Sequence, residues 1–217
     1  MQGLTIIQFA VVAVLPLLFA ITVHETAHGW VASRLGDKTA MMLGRVTLNP
    51  IKHIDPMGTI LVPGLLMIMG GFIFGWAKPV PVTWQNLRNP KRDMALVAVA
   101  GPLANLLMAL AWALVAKLGI ILTPISPWLA TPMELMGRVG IFINAILMVL
   151  NLLPLPPLDG GRVLTGILPG PLAWRVSRIE PYGFFILIAL LASGWLGKLI
   201  GPPIHALQAG ISRLVGI

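Results

Sequence analysis

Residues 19–30 read Phe19-Ala20-Ile21-Thr22-Val23-His24-Glu25-Thr26-Ala27-His28-Gly29-Trp30, and three ionisable side chains here sit inside an apolar run that begins near Leu4. On a helix, residues four apart share one face, so His24 and His28 can aim two ring nitrogens at one spot. A glutamate beside the first histidine completes an HExxH arrangement, two metal ligands and a carboxylate able to activate water. Ionisable groups at membrane depth are costly and mark function by default. The segment therefore reads as a membrane-buried helix carrying a metal-dependent hydrolytic site.

Composition supports the membrane reading independently. Of 217 residues, 57% are hydrophobic and only 10% are charged, and the mean hydropathy is +0.91. A soluble domain would carry about 25% charged residues. Apolar runs recur at 4–23, 60–76, 94–118, 139–153 and 182–200, and crossing the hydrocarbon core takes roughly 20 such residues. The net charge of +8 fits loop cations facing anionic headgroups, and the hydrophobicity excludes a nucleic-acid protein. Cysteine is absent, which removes disulfides and Cys-ligated metal. The first run has no basic residues before it and contains the His24–His28 pair itself, so it is not expected to be a removable signal peptide.

The pattern predicts an all-α polytopic membrane protein with about five apolar helical segments, and short membrane-associated strands or a re-entrant segment after the first helix. A single membrane-embedded domain is expected over 1–217, with a core at 4–162 and a C-terminal helix and interfacial tail at 163–217. The first helix is expected over 4–35, loosened at Pro16 and stopped by Gly36-Asp37. Residues 39–58 suit short strands or irregular backbone, being punctuated by Gly44, Asn49-Pro50 and Asp55-Pro56. Lys78-Pro79-Val80-Pro81-Val82 reads as extended, because each proline biases its predecessor away from helix. Helices follow at 93–118, 133–153 and 182–200, and the tail 204–217 is amphipathic enough to lie on the interface.

Basic residues sharpen the topology. Arg34, Lys38, Arg45 and Lys52 follow the first helix, Lys78, Arg88, Lys91 and Arg92 precede Asp93, and 119–133 has none. By the positive-inside rule the first two segments are cytoplasmic. Both can lie there only if 60–76 re-enters without crossing, which its Pro63-Gly64 and Gly70-Gly71 breaks permit.

A hydrolytic zinc site takes three protein ligands, so a third must join His24 and His28. The acids are Glu25, Asp37, Asp55, Asp93, Glu134, Asp159 and Glu180. Asp159 stands out at the broken end of an apolar helix, among prolines and glycines, without excluding the others. His53 with Asp55 is a weaker second metal pair, with loop hydrogen bonding or cleft gating as the plainer reading.

HETAH in an apolar helix, followed by Asn151-Leu152-Leu153-Pro154-Leu155-Pro156-Pro157-Leu158-Asp159-Gly160, resembles the site-2 protease family of intramembrane zinc metalloproteases. That family pairs HExxH with an NxxPxPxLDG segment, and Gly101-Pro102-Leu103-Ala104-Asn105 is similar to its GxxxN element. The stretch Gly75-Trp76-Ala77-Lys78-Pro79-Val80-Pro81-Val82 resembles a compact prokaryotic subgroup without PDZ or CBS domains. The resemblance, which covers about 15–162, implies one zinc ion per chain held by His24, His28 and Asp159, with Glu25 as catalytic acid/base. It implies substrate-backbone or oxyanion contacts for Asn105 and Asn151, with interhelical hydrogen bonding as the structural alternative for both. Gly101 is expected to permit close helix packing more than to touch substrate, and Val80 and Pro81 offer an extended edge for strand addition.

The function so implied is cleavage of transmembrane protein substrates within the lipid bilayer, in a prokaryotic inner membrane with the site near the cytoplasmic face. Two alternatives belong to other classes. A metal transporter or sensor would use the same ligands without hydrolysis, and an inactive scaffold would bind transmembrane helices only. The tryptophans read as interface anchors, and the oligomeric state is not encoded legibly.

Overall fold

The structure is a computed structural model that describes residues 5–62, 64–65 and 75–217. Helix α1 spans Ile6–Arg34 and opens with a reciprocal cap. Thr5 Oγ1 accepts from the Gln8 N–H at 3.2 Å, and Gln8 Oε1 accepts from the Thr5 N–H at 2.9 Å. After a helical turn α2 (Thr39–Met42) come a tight turn at Pro50–His53 and a wide turn at Pro56–Leu61. A further tight turn, Trp84–Asn86, leads into α3 (Pro90–Leu122), α4 (Pro127–Asn151) and α5 (Asp159–Ile167). The chain closes with α6 (Gly170–Ser177), α7 (Glu180–Ala192) and α8 (Trp195–Val215).

Three of the described helices are long and apolar enough to cross a membrane, at Ala10–Arg34, Pro90–Leu122 and Pro127–Asn151. Their shortest length, 25 residues, corresponds to about 37 Å at 1.5 Å per residue, against a hydrocarbon core of about 30 Å. The chain is an integral membrane protein of all-α architecture.

Helix α3 is the central post, touching α1, α4, α5 and α8. Small residues bring the helices together, as packing without a hydrophobic drive demands. A Cβ on Gly137 would strike Ala116, and one on Gly140 would strike the Trp112 ring. Ala109, Trp112, Ala113, Ile141 and Ile211 form the resulting core. Trp112 is thus a core residue, whereas Trp128 and Trp174 are exposed as interface anchors would be.

One expectation is narrowed and two need correction. Of the two readings of 39–58, irregular backbone with short turns holds, and no strand forms among its described residues. Ala40 and Met41 favour helix and make a turn, and the rest is held by side-chain caps rather than by a ladder. The apolar run 182–200 is not one helix: Gly194 takes φ 73°, and α7 and α8 meet at 85°. A left-handed residue ends a helix and glycine adopts it freely. Finally, 204–217 is not a tail separate from the preceding helix: it continues α8, and its Ile211 packs against the core residues of α3 and α4.

Most of 60–76 lies outside the described residues. Its flanks are described, and they meet. The Trp76 N–H donates to the Gly58 carbonyl at 3.0 Å, and Thr59 Oγ1 donates to the Trp76 carbonyl at 2.8 Å. Gly58, Thr59 and Trp76 are thus joined at the two ends of the segment, and the re-entrant reading of 60–76 falls mostly on residues outside those described.

Candidate metal centre

Helical spacing sets the two histidines of α1 side by side, with ring centroids 4.6 Å apart. The third group arrives from the end of α4. Pro154 has no N–H to continue that helix, and the chain folds back so that α5 begins at Asp159. Gly160 and Gly161 make this fold possible, since a Cβ on either would strike the backbone of Leu152 or of Pro156. Asp159 Oδ2 comes to rest 3.3 Å from His24 Nε2 and 3.3 Å from His28 Nε2, while the two Nε2 atoms are 3.0 Å apart. All three side chains are buried.

The hydrogen bonds behind the histidines decide what those facing atoms are. His28 Nδ1 lies 2.7 Å from the Val97 carbonyl, which can only accept. His24 Nδ1 lies 2.6 Å from Asn105 Oδ1. The Asn105 amide nitrogen donates to the Ala20 carbonyl at 3.2 Å and to Asn144 Oδ1 at 2.9 Å, which fixes its oxygen towards His24. Both Nδ1 atoms are therefore donors, and each neutral ring presents a lone pair at Nε2. Two lone pairs and a carboxylate oxygen cannot hydrogen-bond one another, and Asp159 Oδ2 is accordingly buried without a hydrogen-bond partner. A cation between them resolves the arrangement. Ligands at 2.0–2.1 Å around a tetrahedral zinc ion stand about 3.3 Å apart, close to the spacings found. Gly101 keeps the space open, since a Cβ there would overlap His28 Nε2 and His24 Cε1. The residues present fit a zinc ion, and among the described residues they are the one group so placed.

Glu25 stands one residue along α1 and is half-buried. Its Oε2 accepts the Val80 N–H at 2.7 Å. Val80 is buried, and it lies in a segment, 75–83, without regular structure. The extended reading of 78–82 thus acquires a location: this segment runs over the catalytic-type helix turn. Pro81 follows in it without an amide hydrogen to offer.

The other sequence-derived candidates fall in different places. Asn105 is fully buried behind His24, and both of its amide hydrogens are spent on Ala20 and Asn144. Its oxygen supports the His24 ring, and these hydrogen bonds of Asn105 all run to α1 and α4. Asn151 gives one amide hydrogen to the Leu147 carbonyl at 2.9 Å and is only half-buried. His53 donates from Nε2 to the Thr47 carbonyl at 2.9 Å, and Asp55 caps the next turn through Met57 and Gly58. Neither joins the metal group.

Sequence reasoning missed Asn144 and Asp37. Asn144 continues the chain from His24 through Asn105 and ends on the Gly140 carbonyl at 2.9 Å, linking α1, α3 and α4. An asparagine in the apolar run of α4 was its signal. Asp37 is fully buried and accepts from the Thr39 and Thr83 N–H groups at 3.0 and 2.6 Å and from Asn86 Nδ2 at 3.2 Å. Burial pushes its carboxyl up, and the donors from Thr39, Thr83 and Asn86 outweigh that and hold it below the ordinary value.

Comparison with known proteins gives the group a lineage. Peptidase family M50 matches residues 12–139 and 118–192. "Putative zinc metalloprotease YwhC" of Bacillus subtilis is 35% identical over 202 residues, covering 93% of this chain and 89% of the relative. Two proteins named Rip2, with the same descriptive title, are also similar. The Mycolicibacterium smegmatis protein is 32% identical over 83% of this chain and 66% of its own length. The Mycobacterium tuberculosis (strain H37Rv) protein is 31% identical over 82% of this chain and 67% of its own length. No solved structure matches significantly. With the family matched across most of its length and a relative of this similarity, the chain belongs to peptidase family M50, the site-2 protease family, and is a zinc metalloprotease.

Proposed function

We propose that the protein is an intramembrane endopeptidase that hydrolyses peptide bonds in or near transmembrane segments of other membrane proteins. Its site would lie near the cytoplasmic face of a prokaryotic inner membrane, close to the basic segments around Arg45 and Lys78. The observation that carries this reading is the group of His24, His28 and Asp159 beside Glu25, on a helix apolar enough to span the bilayer.

His24, His28 and Asp159 would hold one zinc ion, which when bound supplies Lewis acidity towards a peptide carbonyl and towards water. Glu25 takes a proton from the attacking water and returns it to the leaving amine nitrogen. The Val80 N–H holds Oε2 of that carboxylate and leaves Oε1 for the transfer. Asn105 and the Val97 carbonyl fix the histidine rings and their tautomers. A helical substrate hides its carbonyls in its own hydrogen bonds, so cleavage needs an unwound stretch. Pairing of such a stretch along Val80 and Pro81 would run through their carbonyls, since Glu25 holds the Val80 N–H and Pro81 has none, and Asn151 retains one amide hydrogen for substrate. Transport would need ligands at successive depths, and the described residues gather theirs at one.

The test is purified protein in detergent or liposomes with a single-spanning fusion protein whose transmembrane helix carries an Asn-Pro break. Wild type should cut it, chelation should stop cleavage and zinc should restore it. Glu25→Gln should keep zinc and lose cleavage. Equal inactivity of wild type and Glu25→Gln across a panel of such fusions would sink the proposal.

A further inference from the structure

The segment over Glu25 is fastened at three places. At its start, the Lys78 N–H donates to the His53 carbonyl at 3.0 Å, and Arg45 Nη2 donates to the Lys78 and Pro79 carbonyls at 2.9 and 3.3 Å. In its middle, the Val80 N–H meets Glu25. At its end, the Thr83 N–H meets Asp37 Oδ2 at 2.6 Å. Pro79 and Pro81 flank Val80, fix φ on either side and contribute no N–H. The strap is therefore stiff, and Val80 supplies its one amide between Lys78 and Val82.

Asp37 is the anchor that ties this strap back to the helix bearing Glu25. It follows α1 by three residues, and the loop around it is seated against the far end of the strap. The Arg88 N–H donates to the Leu35 carbonyl at 3.1 Å. Gly36 has φ 118°, and a Cβ there would lie 2.9 Å from the Asn86 carbonyl oxygen. Thr39 Oγ1 and Thr83 Oγ1 are 3.1 Å apart. One buried carboxylate thus collects donors from both sides of the join, in a loop where nothing about folding α1 itself requires it.

We propose that Asp37 is a positioning residue for the hydrolysis: by holding Thr83 it sets the strap so that the Val80 amide lands on Glu25 and fixes the carboxylate in its working orientation. This rests on the reading of Glu25 as the proton carrier. Asp37 touches neither substrate nor metal, and its influence runs through the stiff stretch from Thr83 to Val80. Replacing one carboxylate oxygen with an amide, as in Asp37→Asn, sets a donor against either the Thr83 N–H or the Thr39 and Asn86 donors. With the amide towards Thr83 the strap end is released, and with it towards Thr39 and Asn86 the anchor itself is unseated, while the side-chain volume stays nearly the same.

The experiment measures kcat and KM for the Asn-Pro fusion protein, per zinc-loaded molecule, well below the melting midpoint. Asp37→Asn should lower kcat about 10- to 100-fold, the scale of an ångström-sized misplacement, with zinc content retained and KM changed by less than about twofold. Val80→Pro, which deletes the amide itself, should lower kcat at least as far with zinc content retained. The double variant should be no slower than Val80→Pro alone, because both changes cut one path. Should Asp37→Asn fail to fold, Thr83→Pro removes the N–H that Asp37 receives from the strap and carries the same expectation, with Thr83→Val as the control for the hydroxyl lost with it. Wild-type kcat in the folded variant, or fully multiplicative losses in the double variant, would overturn the proposal. Inactive wild type would instead overturn the protease reading on which it stands.

Discussion

Asn105 Oδ1 sits 2.6 Å from His24 Nδ1, and the same carboxamide is gripped from behind by Asn144 on a third helix. His24 is therefore aimed by the helix bundle as much as by its own rotamer. Removing such an outer partner of a metal-bound histidine commonly costs 10- to 100-fold in metal affinity. Asn105→Ala should weaken zinc binding about 10- to 100-fold. Chelator competition checks this, and excess zinc should recover much of the cleavage activity, since Glu25 and the strap are untouched.

Asn144 supports the same ring at one remove, and its loss should read differently. Asn144→Leu strands one amide hydrogen of Asn105 in the bundle interior, a defect worth about 1–3 kcal/mol when a buried donor goes unmet. Membrane interiors give smaller values, on the order of 0.6–1.7 kcal/mol. The double change Asn105→Leu with Asn144→Leu removes both partners and should regain part of that stability. Zinc affinity in the double variant should nevertheless stay as low as in Asn105→Leu. Melting midpoints set against zinc titrations separate the two effects.

The contrast between these residues shows how far a sequence reading reaches. The positions of His24, Glu25 and His28 follow from helical periodicity, because residues four apart must share a face. Asp159 was one acid among seven by chemistry alone, and the surrounding Pro-Gly motif singled it out. Gly101 was legible as a close approach, and the histidine rings are what it approaches. The direction of Asn105 was not legible. An asparagine in an apolar helix announces that it needs partners without saying which, and a carboxamide can serve either as donor or as acceptor. Asp37 looked like punctuation after α1, and its role depends on Thr83, 46 residues away. The split between α7 and α8 was hidden for a related reason. Hydropathy cannot tell a glycine inside a helix from one at φ 73° that ends it.

Asp37 also gives the stability a pH dependence of known sign. Its folded carboxyl titrates below the ordinary value of 3.8, because donors from Thr39, Thr83 and Asn86 overcome the upward push of burial. A depressed acid adds stability that is complete above the unfolded pKa and fades as pH falls through the folded one. The wild type should therefore lose melting temperature below about pH 4, through this group among others. Asp37→Asn should start lower at pH 7 and show a shallower acid decline. Thermal scans from pH 3 to pH 7 in one detergent decide it, and parallel curves for the two proteins would contradict the assignment.

Gly101 makes the sharpest steric prediction. It lies on α3 where that helix passes the two histidines, and any Cβ would occupy the space among His24 Cε1, His28 Nε2 and His28 Cε1. Gly101→Ala raises helix propensity, which would favour α3 if the position were only structural. Overpacking against buried groups instead costs about 1–3 kcal/mol, and here the groups pushed aside are the rings that present Nε2 to the metal. Zinc stoichiometry should fall well below one per chain, with cleavage lost, even where the purified protein stays monodisperse and helical. Gly197, beside which a Cβ would meet nothing within 4 Å, is the matched control. Gly197→Ala should bind zinc like wild type. Equal zinc content in the two alanine variants would mean that the space beside the histidines is not where the ion sits.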